Sequence, residues 1–341
     1  MNPAISVVLI GVLSSLAFGQ DPPLAEKYPR PWLGLHVIVS DHAEGEKLLR
    51  IIPAIARVGV NVLIIETDYS FAFESDPNVR GKSCVTKSLA REIADRCRQF
   101  GIRPIPQINC LGHQSWAKEN GALLSAYPDL DETPGKYPNN EGIYCRSWCP
   151  SNPKVMQIVA PLIDELLEAF AADAFHVGMD EVFIIAHPDC PRCAGKDPAE
   201  LYAKAVNDLH DHIVKKRGAE MLMWADRLLD AKQLGYSKWE ASANGTAPAI
   251  DLIARDIILC DWHYEPMPYP SIGYLLEKGF RVWPTGWHNE AAVERMIDTA
   301  QSLRHDRMLG YLSTTWLRIP MEEVPHFPPT KLAAKKLRMA K

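Results

Sequence analysis

The sequence predicts an α/β protein of one domain, a (β/α)8 TIM barrel. Three observations carry this. Short, nearly continuous apolar runs recur along the chain: Trp32–Val39, Asn61–Glu66, Ile102–Ile108, Ala174–Gly178, Met221–Ala225, Asp256–Trp262, Phe280–Pro284 and Gly310–Thr315. Strands of a parallel sheet buried on both faces read this way. Helical periodicity fills the stretches between them, as alternating β and α elements require. The turn after the first run, Val39-Ser40-Asp41-His42, is not a glycine-rich phosphate loop, so the open doubly wound sheet loses its usual support. The chain has 341 residues with 47% hydrophobic content, more than the roughly 250 residues such a barrel needs.

Each helical segment has its own signals. Leu89, Ile93 and Phe100 mark one, stopped by Gly101. Asn152-Pro153 supplies a cap and a first-turn proline for Val155, Ile158, Val159, Leu162, Ile163, Leu166 and Leu167. Asp197-Pro198-Ala199-Glu200 is a second start of this kind, followed by Leu201, Val206, Leu209 and Ile213 and closed by Gly218. Val293, Met296, Ile297 and Leu303 mark a late helix. Two connectors are long, Asn109 to Ser151 and Asp180 to Lys196. Both follow strand ends, on the face where barrel active sites form.

Outside the barrel, residues 1–19 read as a signal peptide. The apolar run Ile5–Leu13 is too short to span a bilayer, and Ala17-Phe18-Gly19 offers small residues for cleavage. The chain is therefore expected to be exported, periplasmic or secreted, with no stable membrane insertion. Residues 20–31 read as a Pro-rich linker, 32–325 as the barrel domain, and 326–341 as a basic tail, a solvated segment or frayed helix. With 37 Lys and Arg against 42 Asp and Glu, net charge is −5. The body of the chain shows no basic stripe, which argues against nucleic acid as a partner.

Among the 8 cysteines, Cys145 and Cys149 lie close together, as do Cys190 and Cys193. Export favours disulfides that pin the long loops. The sharper alternative is a zinc site of these four thiolates, with His187 as a further candidate ligand. Cys110 and Cys260 fall in apolar strand runs and read as core residues.

The strand ends gather polar and aromatic side chains: Glu66 and Asp68, His113, Asp180 and Glu181, Trp224 and Asp226, Asp261, Trp262 and Tyr264, Trp287, and Trp316. An acidic, tryptophan-walled pocket suits a sugar, whose C–H faces stack on indole and whose hydroxyls need carboxylate partners. The strongest local signal is His176-Val177-Gly178-Met179-Asp180-Glu181-Val182. Two adjacent acids at the end of an apolar strand are costly to bury without a purpose. From position alone, an ion pair with a loop arginine such as Arg192 explains them as well as catalysis does.

This heptapeptide resembles the signature of glycoside hydrolase family 20, the β-N-acetylhexosaminidases. Pro106-Gln107-Ile108-Asn109-Cys110-Leu111-Gly112-His113 is similar to that family's strand-three segment, and Met223-Trp224-Ala225-Asp226 to its strand-five segment. The resemblance spans Trp32 to Pro320. It implies an exo-acting enzyme that removes terminal N-acetylhexosamine from oligosaccharides or glycoconjugates with retention, with no cofactor, and with the substrate's own 2-acetamido group as nucleophile. Glu181 would be the general acid and base, and Asp180 would orient the acetamide. His113, Asp68, Trp224, Asp226, Trp262, Tyr264 and Trp316 would bind substrate.

The chain departs from the family's pattern in three ways. No arginine ends the first strand, where members carry one for sugar hydroxyls; the sequence reads as lacking the small domain often found before the barrel; and the Cys-rich loops are not part of the general signature. The absent strand-one arginine keeps a non-catalytic carbohydrate-binding barrel as the alternative. A metal-dependent hydrolase using His176, Asp180 and His187 is a further one.

Overall fold

A computed structural model describes Pro29, residues 31–316 and residues 319–339. The expected leader and most of the linker lie outside the described residues. Eight parallel strands close into one barrel in sequential order. They are β1 (Trp32–Ile38), β2 (Val62–Glu66), β3 (Arg103–Cys110), β4 (Ala174–Gly178), β5 (Glu220–Trp224), β6 (Ile258–Trp262), β7 (Arg281–Gly286) and β8 (Gly310–Thr314). Closure comes from β1 pairing with β8, with Trp32 opposite Gly310 and His36 opposite Thr314.

The connecting helices are α1 (His42–Val58), α2 (Lys87–Gln99), α3 (Lys154–Ala169), α4 (Pro198–His210), α5 (Pro270–Glu277) and α6 (Glu290–Ser302), with α7 (Pro328–Met339) after β8. Their starts are capped as the sequence dictates. Asp41 accepts from the Glu44 amide at the head of α1, and Asp197 accepts from Ala199 and Glu200 at the head of α4. Between β5 and β6 there is no long helix, only 3-10 turns at Asp226–Leu228 and Ala247–Asp251 and one short α-helical turn at Ala231–Leu234.

The core is in two shells. Val62, Ile64, Ile105, Leu222, Ile258, Cys260, Trp283 and Leu312 fill the barrel interior. A larger layer lies between strands and helices, where Leu48, Ile52, Ile93, Leu162 and Leu209 cover the outer strand faces. Cys110 and Cys260 are fully buried, as expected.

The segment set apart from sequence as a basic tail is different in the structure. Helix α7 packs on α1, α6, β1 and β8. Ala333, Ala334 and Leu337 are buried there, and the Thr330 hydroxyl donates to Ser313 Oγ at 2.9 Å. The basic residues sit on the outer face, where Lys336 pairs with Glu294 and Asp298 of α6. Lysine-rich composition hid an apolar stripe at helical spacing. No helix among the described residues is long and apolar enough to cross a membrane.

Candidate active site

The acidic pair poses a geometric problem, because successive side chains of an extended strand point to opposite faces. The backbone solves it just past β4. Gly178, Met179 and Glu181 all take positive φ, at 68°, 75° and 49°. These left-handed residues swing the chain so that Asp180 and Glu181 both reach the mouth of the barrel. Each such conformation costs a non-glycine residue on the order of 1–3 kcal/mol, a cost typical of functional sites. Asp68, Leu111, His113 and Trp316, at the ends of other strands, share it.

Two glycines permit this turn. A Cβ on Gly178 would meet Asn109 Oδ1 at 2.5 Å, and one on Gly112 would meet the Asp180 carbonyl oxygen at 2.6 Å. The β3 and β4 ends therefore touch backbone to backbone. The turn is anchored by the Tyr202 hydroxyl, which donates to the Met179 carbonyl at 2.8 Å. The Glu181 amide donates to Asp226 Oδ2 at 2.9 Å.

His113 Nε2 lies 3.1 Å from Asp180 Oδ2 and 3.3 Å from Glu181 Oε2, bridging the two acids. Burial opposes charge on this imidazole. The Asp180 carboxylate and the hydrogen bonds to both acids outweigh burial and hold its pKa well above the usual histidine value. The ion-pair partner of the acids is thus His113, not Arg192. The other Asp180 oxygen, Oδ1, is buried and has no hydrogen-bond partner among the described residues. A buried acceptor left open is costly, so it marks a place for a donor from outside the chain.

Behind the pair stand two buried networks. Glu66 accepts from Gln107 Nε2 at 2.6 Å and Asn109 Nδ2 at 3.0 Å, and its Oε2 lies 2.8 Å from His36 Nε2. Asp68 accepts from the Asn109 amide at 2.7 Å. Burial and the Glu66 charge push the Asp68 carboxyl up to about 7, against the pull of the Asn109 hydrogen bonds. On the other side, Asp226 pairs with Arg227 Nε at 2.6 Å and accepts from Trp262 Nε1 at 3.3 Å. Burial pushes Asp226 up to about 6, with Arg227 pulling down and Asp180 adding to the rise.

The aromatic wall is continuous. Trp262 stacks on Tyr264 with ring centroids 5.0 Å apart, and Trp316 Nε1 donates to the Tyr264 hydroxyl at 3.1 Å. Trp224 lies against Trp316, His36 and His176. The structure thus joins Asp180, Glu181, His113, Asp226, Trp262, Tyr264, Trp316 and Trp224, with Asp68 linked through Asn109. Their surfaces differ. Trp224 and Asp226 are each 1% exposed, so they lie behind the pocket and support the groups that face it. Asp261, though at a strand end, turns away from the pocket and takes the Ser271 hydroxyl at 2.7 Å.

Sequence reasoning passed over an aromatic rim. Tyr144 packs edge-on against His113 at 6.0 Å, Trp239 at 5.0 Å and Phe183 at 5.7 Å, with Trp116 at 6.2 Å. Trp116 is 69% exposed, an unusual surface for a tryptophan without a ligand. The neighbouring Glu181 joins burial in raising the Tyr144 pKa. The length of the 109–151 connector was the signal available for Trp116 and Tyr144. His36 was also missed. It is fully buried and bonded to Glu66, behind the pocket.

Two sequence expectations need correction. Cys145 does not join the other loop cysteines, because its Sγ faces the Glu181 carbonyl at 3.6 Å. The other three do come together, with the sulfurs of Cys149 and Cys193 3.3 Å apart, longer than the about 2.05 Å of a disulfide. His176, Asp180 and His187 do not assemble as a metal triad. His176 Nδ1 accepts from the Gly178 amide at 3.1 Å beneath Trp224, while His187 Nε2 lies 3.0 Å from the Tyr137 hydroxyl.

With this geometry in place, comparison with known proteins is informative. The model of "Glycosyl hydrolase family 20, catalytic domain" matches residues 58–316. A lacto-N-biosidase of Bifidobacterium bifidum is 25% identical over 199 residues, covering 55% of this chain and 17% of that protein. A beta-hexosaminidase of Akkermansia muciniphila is 25% identical over 226 residues, covering 62% of this chain and 43% of that protein. The chain thus spans less than half the length of these curated relatives. The solved Flavobacterium johnsoniae chitobiase superimposes with a TM-score of 0.65 at 21% identity, covering 90% of this chain and 48% of that one. A Vibrio harveyi exo-β-N-acetylglucosaminidase solved with N-acetylglucosamine gives 0.63 at 17% identity, covering 91% and 54%. At these identities the structural likeness establishes the barrel.

Proposed function

Because this chain belongs to glycosyl hydrolase family 20, we propose that it is a β-N-acetylhexosaminidase that removes terminal N-acetylhexosamine from glycans by a retaining, substrate-assisted route. The observation that carries the reading is the division of labour within the acidic pair. Asp180 offers a buried, unpartnered Oδ1, while Glu181 stands beside it, less buried and bridged by the same histidine.

The steps follow from what each atom touches. Glu181 protonates the glycosidic oxygen as the C1–O bond breaks. The acetamide carbonyl oxygen attacks C1, forming an oxazolinium ring, and the aglycone leaves as an alcohol. Asp180 Oδ1 accepts the acetamide N–H and balances the positive charge that spreads over the ring. Water then attacks C1, Glu181 takes its proton, and the acetamide is released with net retention. A positioned acid is worth about 10²- to 10⁴-fold, whereas an in-line intramolecular nucleophile reaches effective molarities of about 10⁵–10⁸ M. Holding the acetamide over C1 is therefore the larger contribution. Trp262, Tyr264 and Trp316 wall that side of the site, and the Tyr264 hydroxyl, whose oxygen already accepts from Trp316, has its own hydrogen to donate.

The reading is tested with two variants and two leaving groups. Glu181→Gln should lose about 10²- to 10⁴-fold on a poor leaving group and much less on nitrophenyl, which needs no protonation. Asp180→Asn should lose on both, because the acetamide step precedes either departure. Equal losses for Glu181→Gln on the two substrates would remove Glu181 as the acid. Binding of N-acetylglucosamine without turnover on any amino-sugar substrate would instead make this a sugar-binding barrel.

A further inference from the structure

Three cysteine sulfurs and one carboxylate meet beneath the two long loops, and the active-site chemistry uses none of them. We propose that Cys149, Cys190, Cys193 and Glu132 form a structural zinc site that clamps the 109–151 loop to the 180–196 loop. All four residues are buried, and their ligand atoms all lie within 4.8 Å of one another.

The separations fit a tetrahedral ion. Zinc–sulfur bonds of about 2.3 Å place two thiolates about 3.8 Å apart, and a carboxylate oxygen slightly closer to each sulfur. Cys149 and Cys193 sulfurs are 3.3 Å apart, those of Cys149 and Cys190 are 3.5 Å apart, and Cys190 Sγ is 3.2 Å from Glu132 Oε2. Outward shifts of a few tenths of an ångström would admit the metal.

The surroundings are built for ligation. Cys190 and Cys193 have the two-residue spacing of thiolate zinc turns. The Cys193 amide donates to Cys190 Sγ at 3.3 Å, which fixes the direction of that sulfur. Glu132 is oriented by the His187 amide, which donates to its other oxygen at 3.2 Å. A disulfide accounts for the cluster poorly, because three sulfurs share contact and any pairing strands the third beside a buried carboxylate. Soft thiolates with one oxygen select zinc over magnesium or calcium. The clamp also reaches the catalytic face. Next to Cys149, the Trp148 amide donates to the Leu111 carbonyl at 2.9 Å, two residues before His113.

The test uses the full chain, produced with zinc in the medium. Elemental analysis should give one zinc per chain, and cobalt exchange should produce the thiolate-to-metal absorption of a tetrahedral site. Cys190→Ser should weaken that absorption and lower zinc affinity by tenfold or more. Cys145→Ala should retain full zinc, since that sulfur lies outside the cluster. Should Cys190→Ser not fold, alkylation of the native wild-type chain with and without chelator decides the matter. Chelation should open Cys149, Cys190 and Cys193 to alkylation and change no other cysteine. A chain with no bound zinc, or a mapped disulfide between any two of these three, would overturn the proposal.

Discussion

Asp180 and Glu181 are neighbours of the same chemical type, and what separates them is the partner of each oxygen. Asp180 spends one oxygen on His113 and keeps the other open, whereas the Glu181 carboxylate meets both His113 and the Tyr144 hydroxyl. The pair itself was legible in the sequence, because two acids closing an apolar strand are conspicuous. Their common direction was not, since it depends on positive φ at Met179 and Glu181, which neither composition nor periodicity encodes. His113 was legible as a pocket residue through the Gly-His segment, but its place between the acids was not. Because its pKa is raised, His113 holds its proton to higher pH than an ordinary histidine, and the stability it contributes is present below the ordinary histidine pKa and lost as pH rises through the raised one. Activity should fall over the same alkaline range. A His113→Gln variant measured across pH 5 to 10 should show lower kcat, about tenfold or more, without that alkaline limb.

At the scale of elements, strand ends and loops carry the site, and they differ in how well sequence exposes them. Strand runs and helix caps announce themselves through periodicity and Asp, Asn or Pro at fixed places. Trp239 lies in a β5–β6 connector with no long helix and no regular pattern, so nothing in the sequence ties it to Tyr144 and Glu181. The β3–β4 contact makes a sharp prediction. Gly112→Ala would drive a methyl into the Asp180 carbonyl oxygen, now 2.6 Å from that Cβ position. It should reduce kcat by about 10²-fold, the scale expected for misplacing a catalytic group, with a much smaller effect on melting temperature. The end of β6 makes another. Burial disfavours charge on His263, but the Asp261 carboxylate and the Asp261 and Glu240 hydrogen bonds raise its pKa to about 9. A raised histidine pKa stabilises the fold below about 6.5, and the contribution is lost as pH climbs through the folded value. Thermal melts of the native chain should therefore decline between pH 7 and pH 10, a loss on the order of 3 kcal/mol. His263→Gln should be less stable at pH 6 and flatter over that range. An unchanged slope in the variant would assign the decline to other groups.

For the whole molecule, the closed eight-strand barrel was legible because buried parallel strands are short apolar runs, and eight of them alternate with helical periodicity from Trp32 onward. The role of its last helix was not, because the charge of residues 326–341 masked their apolar stripe. Ala333 is fully buried where α7 covers the barrel, so Ala333→Glu should destabilise the fold by about 3 kcal/mol or more, read as a lower denaturant midpoint. Lys335→Glu, on the exposed side, should change stability by less than about 0.5 kcal/mol. A barrel alone says nothing about chemistry, which rests on the strand-end groups it gathers. The most direct test of that chemistry compares hydrolysis of nitrophenyl β-N-acetylglucosaminide with that of the nitrophenyl β-glucoside lacking the acetamide. The account predicts turnover of the first and a rate at least about 10³-fold lower on the second, because the nucleophile is missing from it. Comparable kcat/KM on the two substrates would contradict it.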